Sequence, residues 1–577
     1  MDIRKWKIII VAVIGICIIG IAFGVYQIIP SKKQMDLNTY FKRSSEDEVG
    51  LVVNDQILEA KGIKEEGMTY LPLNEVQQYL SSRFYWDGEA LFYMLPTEVL
   101  QVFVGDTTYT IAGVETRLSN DILIQRGDDL YLCVDFIVTV YSAMNRSVES
   151  DGYLWLWDQW EEDVVVKSVE KNSAVRYEKS IKSPIVESIE KGDNIYILSE
   201  EDGWSKVQTE NGLIGYVKTN RLQEEATSKL MEGEYTTWDY TSITREEPVV
   251  MAWQQNLNDS GINNLDNIIE RTKGVLNTIS PSWFTVTDEV GNFESRGSKE
   301  YVEKAHENGI EVWAMIDNIN ISIDSHKLLS STDARTNLIH GLMEEAKRLG
   351  IDGINLDFEK IKPDTGIHYI QFIRELSVAC RNANIVLSVD NYVPSTSTQY
   401  YDRKEQGIVA DYVIIMGYDE HWAGGLEAGS TASKSFVEKG IKDTLEEVPN
   451  NKVINAIPFY TRLWCETPAN ISEPNAKIIE DENSKYRRFS LSSEAKGMKS
   501  SRELLEEKNI TPIWDEEIGQ YYAEYEESNQ FYKIWLEEET SMREKLEIID
   551  SFNIAGISAW KLGLEEEYVW GLIGEYF

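Results

Sequence analysis

The segment DGINLDFEK, residues 352–360, sets four carboxylate or carboxamide side chains within eight positions of an otherwise apolar run: Asp352, Asn355, Asp357 and Glu359. Read as a β-strand, it divides by alternation. Asn355, Asp357 and Glu359 share one face, and Ile354, Leu356 and Phe358 share the other. The apolar face has an obvious use as core. A grouped, buried acidic face is costly, and such groups persist where their shifted proton affinities are useful.

Outward from this segment, strand-like and helical stretches alternate. The runs VVMAWQQ, VLNTISPSWF, EVWAMIDN, GINLDFE, IVLSVDNY, YVIIMGYDEH, KVINAIPFY and GISAWKLG make eight strand candidates. Between the third and fourth, Leu338, Leu342, Ala346 and Leu349 recur on one helical face, and Gly350 supplies a stop. The next helix presents Tyr369, Phe372, Leu376 and Ala379 in the same way. Eight strands alternating with helices predict a (β/α)8 TIM barrel over residues 245–577, with a small α+β insertion at about 466–535, where the chain turns acidic and aromatic.

At 577 residues the chain is too long for one core. Its formal net charge of −41 argues against nucleic acid or anionic lipid as a partner, and 42% hydrophobic residues argue against disorder. Four cysteines at no motif spacing and five histidines without a paired arrangement predict neither a metal site nor a cofactor. The 16 tryptophans and 30 tyrosines suit sugar stacking, although cores and strand faces account for most of them.

Ahead of the barrel, basic MDIRKWK precedes the apolar run Ile8–Ile29, which reaches the roughly 20 residues that span a bilayer. Residues 1–30 are therefore expected to be an uncleaved single-pass membrane anchor with the remainder extracytoplasmic; secretion after signal cleavage is the alternative. Residues 31–49 read as a polar linker. Over 50–160, TYLPLNEVQQYL (69–80) realigns with LYLCVDFIVTVY (130–141), each copy reading as strand, short helix and strand pair. This duplicated α+β domain resembles the N-terminal domain of copper amine oxidases, a domain without catalytic residues. Residues 165–222 carry short strands separated by turns at KGD, EDG and ENG, the rhythm of a small β-barrel. They resemble bacterial SH3-like domains, with Gly192, Trp204, Gly215 and Tyr216 at that family's recurring positions. The resemblance implies cell-wall peptide binding; a folded spacer with Trp204 in its core is the alternative.

In a (β/α)8 barrel the site lies at the C-terminal ends of the strands. Glu359 closes the fourth strand and Asp357 lies one layer deeper. The sixth strand ends in Tyr418 and Asp419, the seventh in Tyr460 and Arg462, and the eighth carries Trp560. An acid, an adjacent carboxylate, a tyrosine hydroxyl and a tryptophan floor suit glycosidic bond cleavage, with the Asp357 charge expected to keep Glu359 protonated. Trp253 and Trp283 line the cleft or pack in the core.

DGINLDFE resembles the DGxDxDxE signature of glycoside hydrolase family 18, the chitinases and their relatives. MGYDEH, IPFYTRLW and GISAWKLG match that family's later strands in order. The resemblance implies a glycosidase acting on β-1,4-linked N-acetylglucosamine glycans, peptidoglycan first and chitin second, by a retaining, substrate-assisted mechanism. It further implies Glu359 as general acid, Asp357 orienting the acetamido group, Tyr418 bonding its carbonyl, and Trp560 flooring the pocket. Asp419, Tyr460, Arg462, Asn355 and Trp283 are the expected substrate-binding residues. Where the family often has Asp, this chain has Asn355, which is expected to donate to Asp357 but cannot share its proton. The rival reading is a catalytically inactive glycan-binding lectin; Glu359, which lectin-like relatives commonly lose, is retained.

Overall fold

Alternation along the eight apolar runs produces a closed parallel barrel. A computed structural model of the chain describes residues 6, 10–14, 16–18, 26–141, 144–148, 152–159, 162–231, 238–255, 261–319, 322–482 and 484–577. The barrel strands are β1 (Val249–Gln254), β2 (Thr278–Val286), β3 (Glu311–Asp317), β4 (Gly353–Asp357), β5 (Val386–Tyr392), β6 (Tyr412–Met416), β7 (Val453–Pro458) and β8 (Gly556–Trp560). Each pairs in parallel with the next, and β1 closes the ring against β8.

Two apolar layers follow from the pleat. Ile354 and Leu356 face outward, with Phe358 beyond them, into the layer shared with Leu338, Leu342, Phe372 and Leu376 of the covering helices. Inside the barrel, Met251, Trp253, Trp313, Met315, Tyr412 and Ile414 fill the interior. The helix Thr332–Leu349 starts where the Ser331 side chain accepts from Ala334 N, and stops at Gly350 with φ 75°. It buries Leu338, Leu342, Ala346 and Leu349, the stripe read from the sequence.

The insertion is an antiparallel sheet that opens at Tyr460 rather than at about 466 and runs to Leu536, with the helix Met498–Lys508 upon it. Tyr460 and Arg462 are therefore not the end of β7. They stand on the first inserted strand, Tyr460–Pro468, which pairs antiparallel with Arg488–Gly497 from Tyr460 onward rather than with the barrel strands.

The chain divides into two compact units, Met1–Tyr93 with Leu100–Trp238, and Met94–Val99 with Asp239–Phe577. In the first, each half of the duplicated segment forms a strand, a helix and a strand pair: 68–72, 73–79, 85–86 and 90–94, then 129–133, 134–140, 144–148 and 153–157. The strands Met68–Pro72 and Asp129–Cys133 pair antiparallel. Downstream, a seven-stranded sheet holds the strands from Asp163–Ser168 to Thr227–Leu230. There Trp204 is half-buried, not core; Lys218 Nζ lies 5.8 Å from its ring centre, and both line an open groove. Residues 31–49 are not a solvated linker. Tyr40 and Phe41 are buried in a cluster with Trp155, Val207 and Ile214, and the Tyr40 hydroxyl donates to Ile214 O at 2.7 Å. Among the described residues no helix is long and apolar enough to cross a membrane; residues 1–5, 7–9, 15 and 19–25 of the expected anchor lie outside the described residues.

Ring closure depends on one glycine. Gly556 opens β8 at φ 156°, and a Cβ there would stand 2.0 Å from Val249 O on β1. The three nearest atoms are all backbone of Val249, which cannot rotate aside as a side chain could. Gly556→Ala is expected to destabilise the barrel by about 2 kcal/mol or more, read as a lowered denaturant midpoint; an unchanged midpoint would refute the closure argument.

Candidate active site

The polar face of β4 points into the barrel as alternation predicts. Asn355 is fully buried and saturated with hydrogen bonds. Its Oδ1 accepts from Trp253 Nε1 on β1 at 2.8 Å and from Ser280 Oγ on β2 at 3.1 Å. Its Nδ2 donates to Ser388 Oγ at 3.0 Å and to Asp390 Oδ1 at 2.8 Å, both on β5. This corrects the expectation that Asn355 donates to Asp357: its two donors are spent sideways, on the neighbouring strand. A carboxamide satisfies this set where an ionised carboxylate would not, since the carboxylate has no hydrogen to give Asp390.

One layer up, Asp357 and Asp390 are both buried at the exits of adjacent strands. Asp357 Oδ1 has no hydrogen-bond partner among the described residues. Burial, and then the neighbouring charges of Asp390, Glu359 and Asp317, hold the Asp357 carboxyl well above the ordinary carboxylate range. Burial likewise holds Asp390 well above it, against the hydrogen bond from Asn355. Two carboxylates this close and this dry do not ionise together.

Glu359 stands beyond the last residue of β4 and half-buried, so it leaves the strict alternation of the strand. Its backbone is clamped by Asn318, which accepts from Glu359 N at 2.8 Å and donates to Glu359 O at 2.9 Å. The Tyr392 hydroxyl, at the end of β5, donates to Glu359 Oε2 at 2.6 Å. Sequence reading missed Asn318, Asp390 and Tyr392. A signal existed: Ser388, Asp390 and Tyr392 repeat on β5 the two-residue polar spacing of Asn355, Asp357 and Glu359.

Tyr418 and Asp419 follow β6, as expected. Tyr418 is half-buried, and burial, then Tyr460, Asp357, Asp390 and Glu359, push its hydroxyl up, which places it beside the acidic group. The Tyr460 hydroxyl donates to Asp419 Oδ1 at 2.6 Å, and Arg462 Nη2 reaches the same oxygen at 3.3 Å. The rings of Tyr418 and Tyr460 meet edge-on at 6.3 Å. Trp560 is half-buried with its ring 5.7 Å from Trp253. Trp253 thus lies inside the barrel beneath the site. Trp283 does not reach it: the register shifts between Ser282 and Phe284, and Trp283 is buried in the outer layer, edge-on to Tyr301 at 5.2 Å.

Residues 253–565 match the model of Glycosyl hydrolases family 18, over half of the chain. The chain belongs to glycosyl hydrolase family 18. Its residues 171–223 match the Bacterial SH3 domain. The chain is 26% identical over 279 residues to the uncharacterized glycosylase YvbX of Bacillus subtilis (strain 168), covering 46% of this chain and 74% of that protein. It is 24% identical over 263 residues to the cortical fragment-lytic enzyme of the same organism, covering 43% of this chain and 55% of that one, so it spans only about half of that relative. The C-terminal domain of a candidate chitinase from Desulfitobacterium hafniense DCB-2 shares the fold at 21% identity and a TM-score of 0.50, over 57% of this chain and 99% of that one.

The raised carboxyls carry a stability consequence. Asp390 binds a proton in the folded state at pH values where the unfolded chain has released it. Its contribution is therefore fully present below the ordinary carboxylate range and lost as pH rises through the folded value. Asp390→Asn keeps an acceptor for Asn355 and removes the charge. It is expected to raise the melting temperature at about pH 7 relative to the parent, the gap closing as pH falls toward about 4. Thermal melts across that range check this, and a gap independent of pH would contradict it.

Proposed function

We propose that this glycosidase cleaves β-1,4-linked N-acetylglucosamine glycans, peptidoglycan in preference to chitin, by retaining, substrate-assisted catalysis. The observation that carries the reading is Asp357: a buried carboxyl with an unpartnered oxygen, close to Glu359 and Tyr418. That oxygen is free to accept the N–H of a substrate acetamido group. In this reading Glu359 gives its proton to the leaving oxygen as the C1–O bond breaks, and the acetamido carbonyl oxygen bonds to C1 in its place. Asp357 steadies the cationic ring, and the Tyr418 hydroxyl holds the carbonyl oxygen. Water then attacks C1 and displaces the acetamido oxygen, whose bond to C1 breaks to restore the acetamide, while the Glu359 carboxylate takes the water's proton, so the anomeric configuration is retained. Trp560 floors the sugar, and Asp419 with Tyr460 and Arg462 forms the polar wall. The SH3 module and a relative named for lysing cortical fragments favour a cell-wall glycan over chitin.

Digesting purified peptidoglycan and chitin oligomers and identifying the products by mass tests the substrate. Glu359→Gln is expected to lower kcat about 10²–10⁴-fold with KM nearly unchanged, and Asp357→Asn about 10²–10³-fold. Products of inverted configuration, or a Glu359→Gln variant as active as the parent, would remove the assignment.

The apolar run 8–29 supports an anchored, extracytoplasmic enzyme, and the groove at Trp204 and Lys218 supports wall-peptide binding by the SH3 module. Cell fractionation is expected to leave the chain in salt-washed membranes. In detergent, Trp204→Ala is expected to reduce co-sedimentation with peptidoglycan about tenfold without altering cleavage of soluble oligomers. Recovery in the soluble fraction defeats the anchor, and unchanged sedimentation defeats the module's role.

A further inference from the structure

A second opening borders Glu359. A cavity of about 400 Å³ lies between the segments that follow β3 and β4. Asn318, Asp324 and His326 wall it on one side, Lys360, Lys362 and Thr365 on the other, with Glu359 between. Asp357, Tyr418 and Trp560 are not part of it. Glu359 thus separates the groups suited to the acetamido-bearing sugar from a chamber on its other side. An acid that protonates the leaving oxygen faces the leaving sugar, which puts that chamber on the leaving-group side.

The charge of the chamber is unusual for this chain, whose formal net charge is −41. Asp324 is already engaged: its carboxylate accepts from His326 N at 3.0 Å and stands 4.0 Å from Lys327 Nζ. The His326 ring is pinned by Thr365 Oγ1 at 3.2 Å. Lys360 and Lys362 are exposed, and none of the ion pairs among the described residues involves either one. Lys360 also holds φ 55°, a left-handed conformation uncommon outside glycine and costing about 1 kcal/mol or more, directly after the acid. The chamber therefore holds two carboxyl groups, both already hydrogen-bonded, at Asp324 and Glu359, and two ammonium groups without an ion-pair partner among the described residues, at Lys360 and Lys362.

We propose that this cavity receives a carboxylate borne by the sugar on the leaving-group side of the scissile bond, with Lys360 and Lys362 as its counter-ions. The proposal rests on the peptidoglycan reading above and deepens it: in a polymer whose alternate sugars carry a lactyl ether, a carboxylate on that side distinguishes wall glycan from neutral chitin. The carboxylate comes either from the lactyl group or from the peptide attached to it.

The full chain and its Lys360→Gln/Lys362→Gln variant are to be compared on three substrates: peptide-bearing glycan strands, strands stripped of peptide, and chitin tetrasaccharide. The expected result is that kcat/KM for the wall strands relative to chitin tetrasaccharide falls about tenfold in the variant, while Lys360→Arg/Lys362→Arg retains the parent ratio. A fall on stripped strands assigns the lactyl carboxylate; a fall on peptide-bearing strands alone assigns the peptide. An unchanged ratio, whether activity is lost equally on all three substrates or on none, overturns the proposal. A parent that cleaves chitin but no wall strand would instead refute the peptidoglycan reading. The cavity is then decided by N-acetylmuramic acid as an inhibitor of chitin tetrasaccharide cleavage: stronger inhibition of the parent than of the Gln variant upholds it, and equal inhibition overturns it.

Discussion

Asn355 is buried at the centre of the barrel with both lone-pair positions and both N–H groups used, and the mouth of the barrel is organised around it. It takes hydrogens from β1 and β2 and gives hydrogens to β5, so the carboxamide ties four strands through one side chain. A buried polar network of this kind is rigid only when every member is satisfied. Because its donors go to Ser388 and Asp390, none remains for Asp357, whose Oδ1 stays unpartnered. Burial, and the nearness of the acidic groups to one another, raise the proton affinities of Asp357 and Asp390, and the hydrogen bond from Asn355 partly opposes the shift at Asp390.

Glu359 is positioned by a different device. It lies outside the strand ladder, so its place is set by Asn318 on the backbone and Tyr392 on the carboxyl, from the two strands that flank β4. The barrel thus supplies depth from one strand and lateral control from its neighbours. The inserted sheet adds a wall: Tyr460 and Arg462 come from its first strand and converge on Asp419, which follows β6. Site residues distant in sequence meet because parallel strands all end at the same rim.

Much of this is legible in the sequence alone. Period-two alternation in 352–360 sends Asn355 and Asp357 inward and Ile354 and Leu356 outward, and the helical stripe ending at Gly350 holds at Leu338, Leu342, Ala346 and Leu349, with Ala334 and Arg335 buried in addition. The reading failed where a local rule was interrupted. Trp283 sits at a register irregularity that turns it away from the cleft. Residues 31–49 look polar on average, yet Tyr40 and Phe41 within them are core. Composition marks the start of the insertion late because Tyr460 and Arg462 continue the run from β7 without a break, while the strand they belong to begins at Tyr460.

The sequence by itself determined the strand and helix order, the eightfold repetition that closes as a barrel, and the acid-bearing segment at the end of the fourth strand, because these depend on periodicity along the chain. Only the tertiary structure decided which partner each polar group takes: that Asn355 turns to Asp390, that Tyr392 reaches Glu359, and that Lys360 and Lys362 are left beside a cavity. Hydrogen bonds and charge pairing act across neighbouring strands and loops, and that lateral adjacency is set by register and closure, which no one-dimensional pattern specifies.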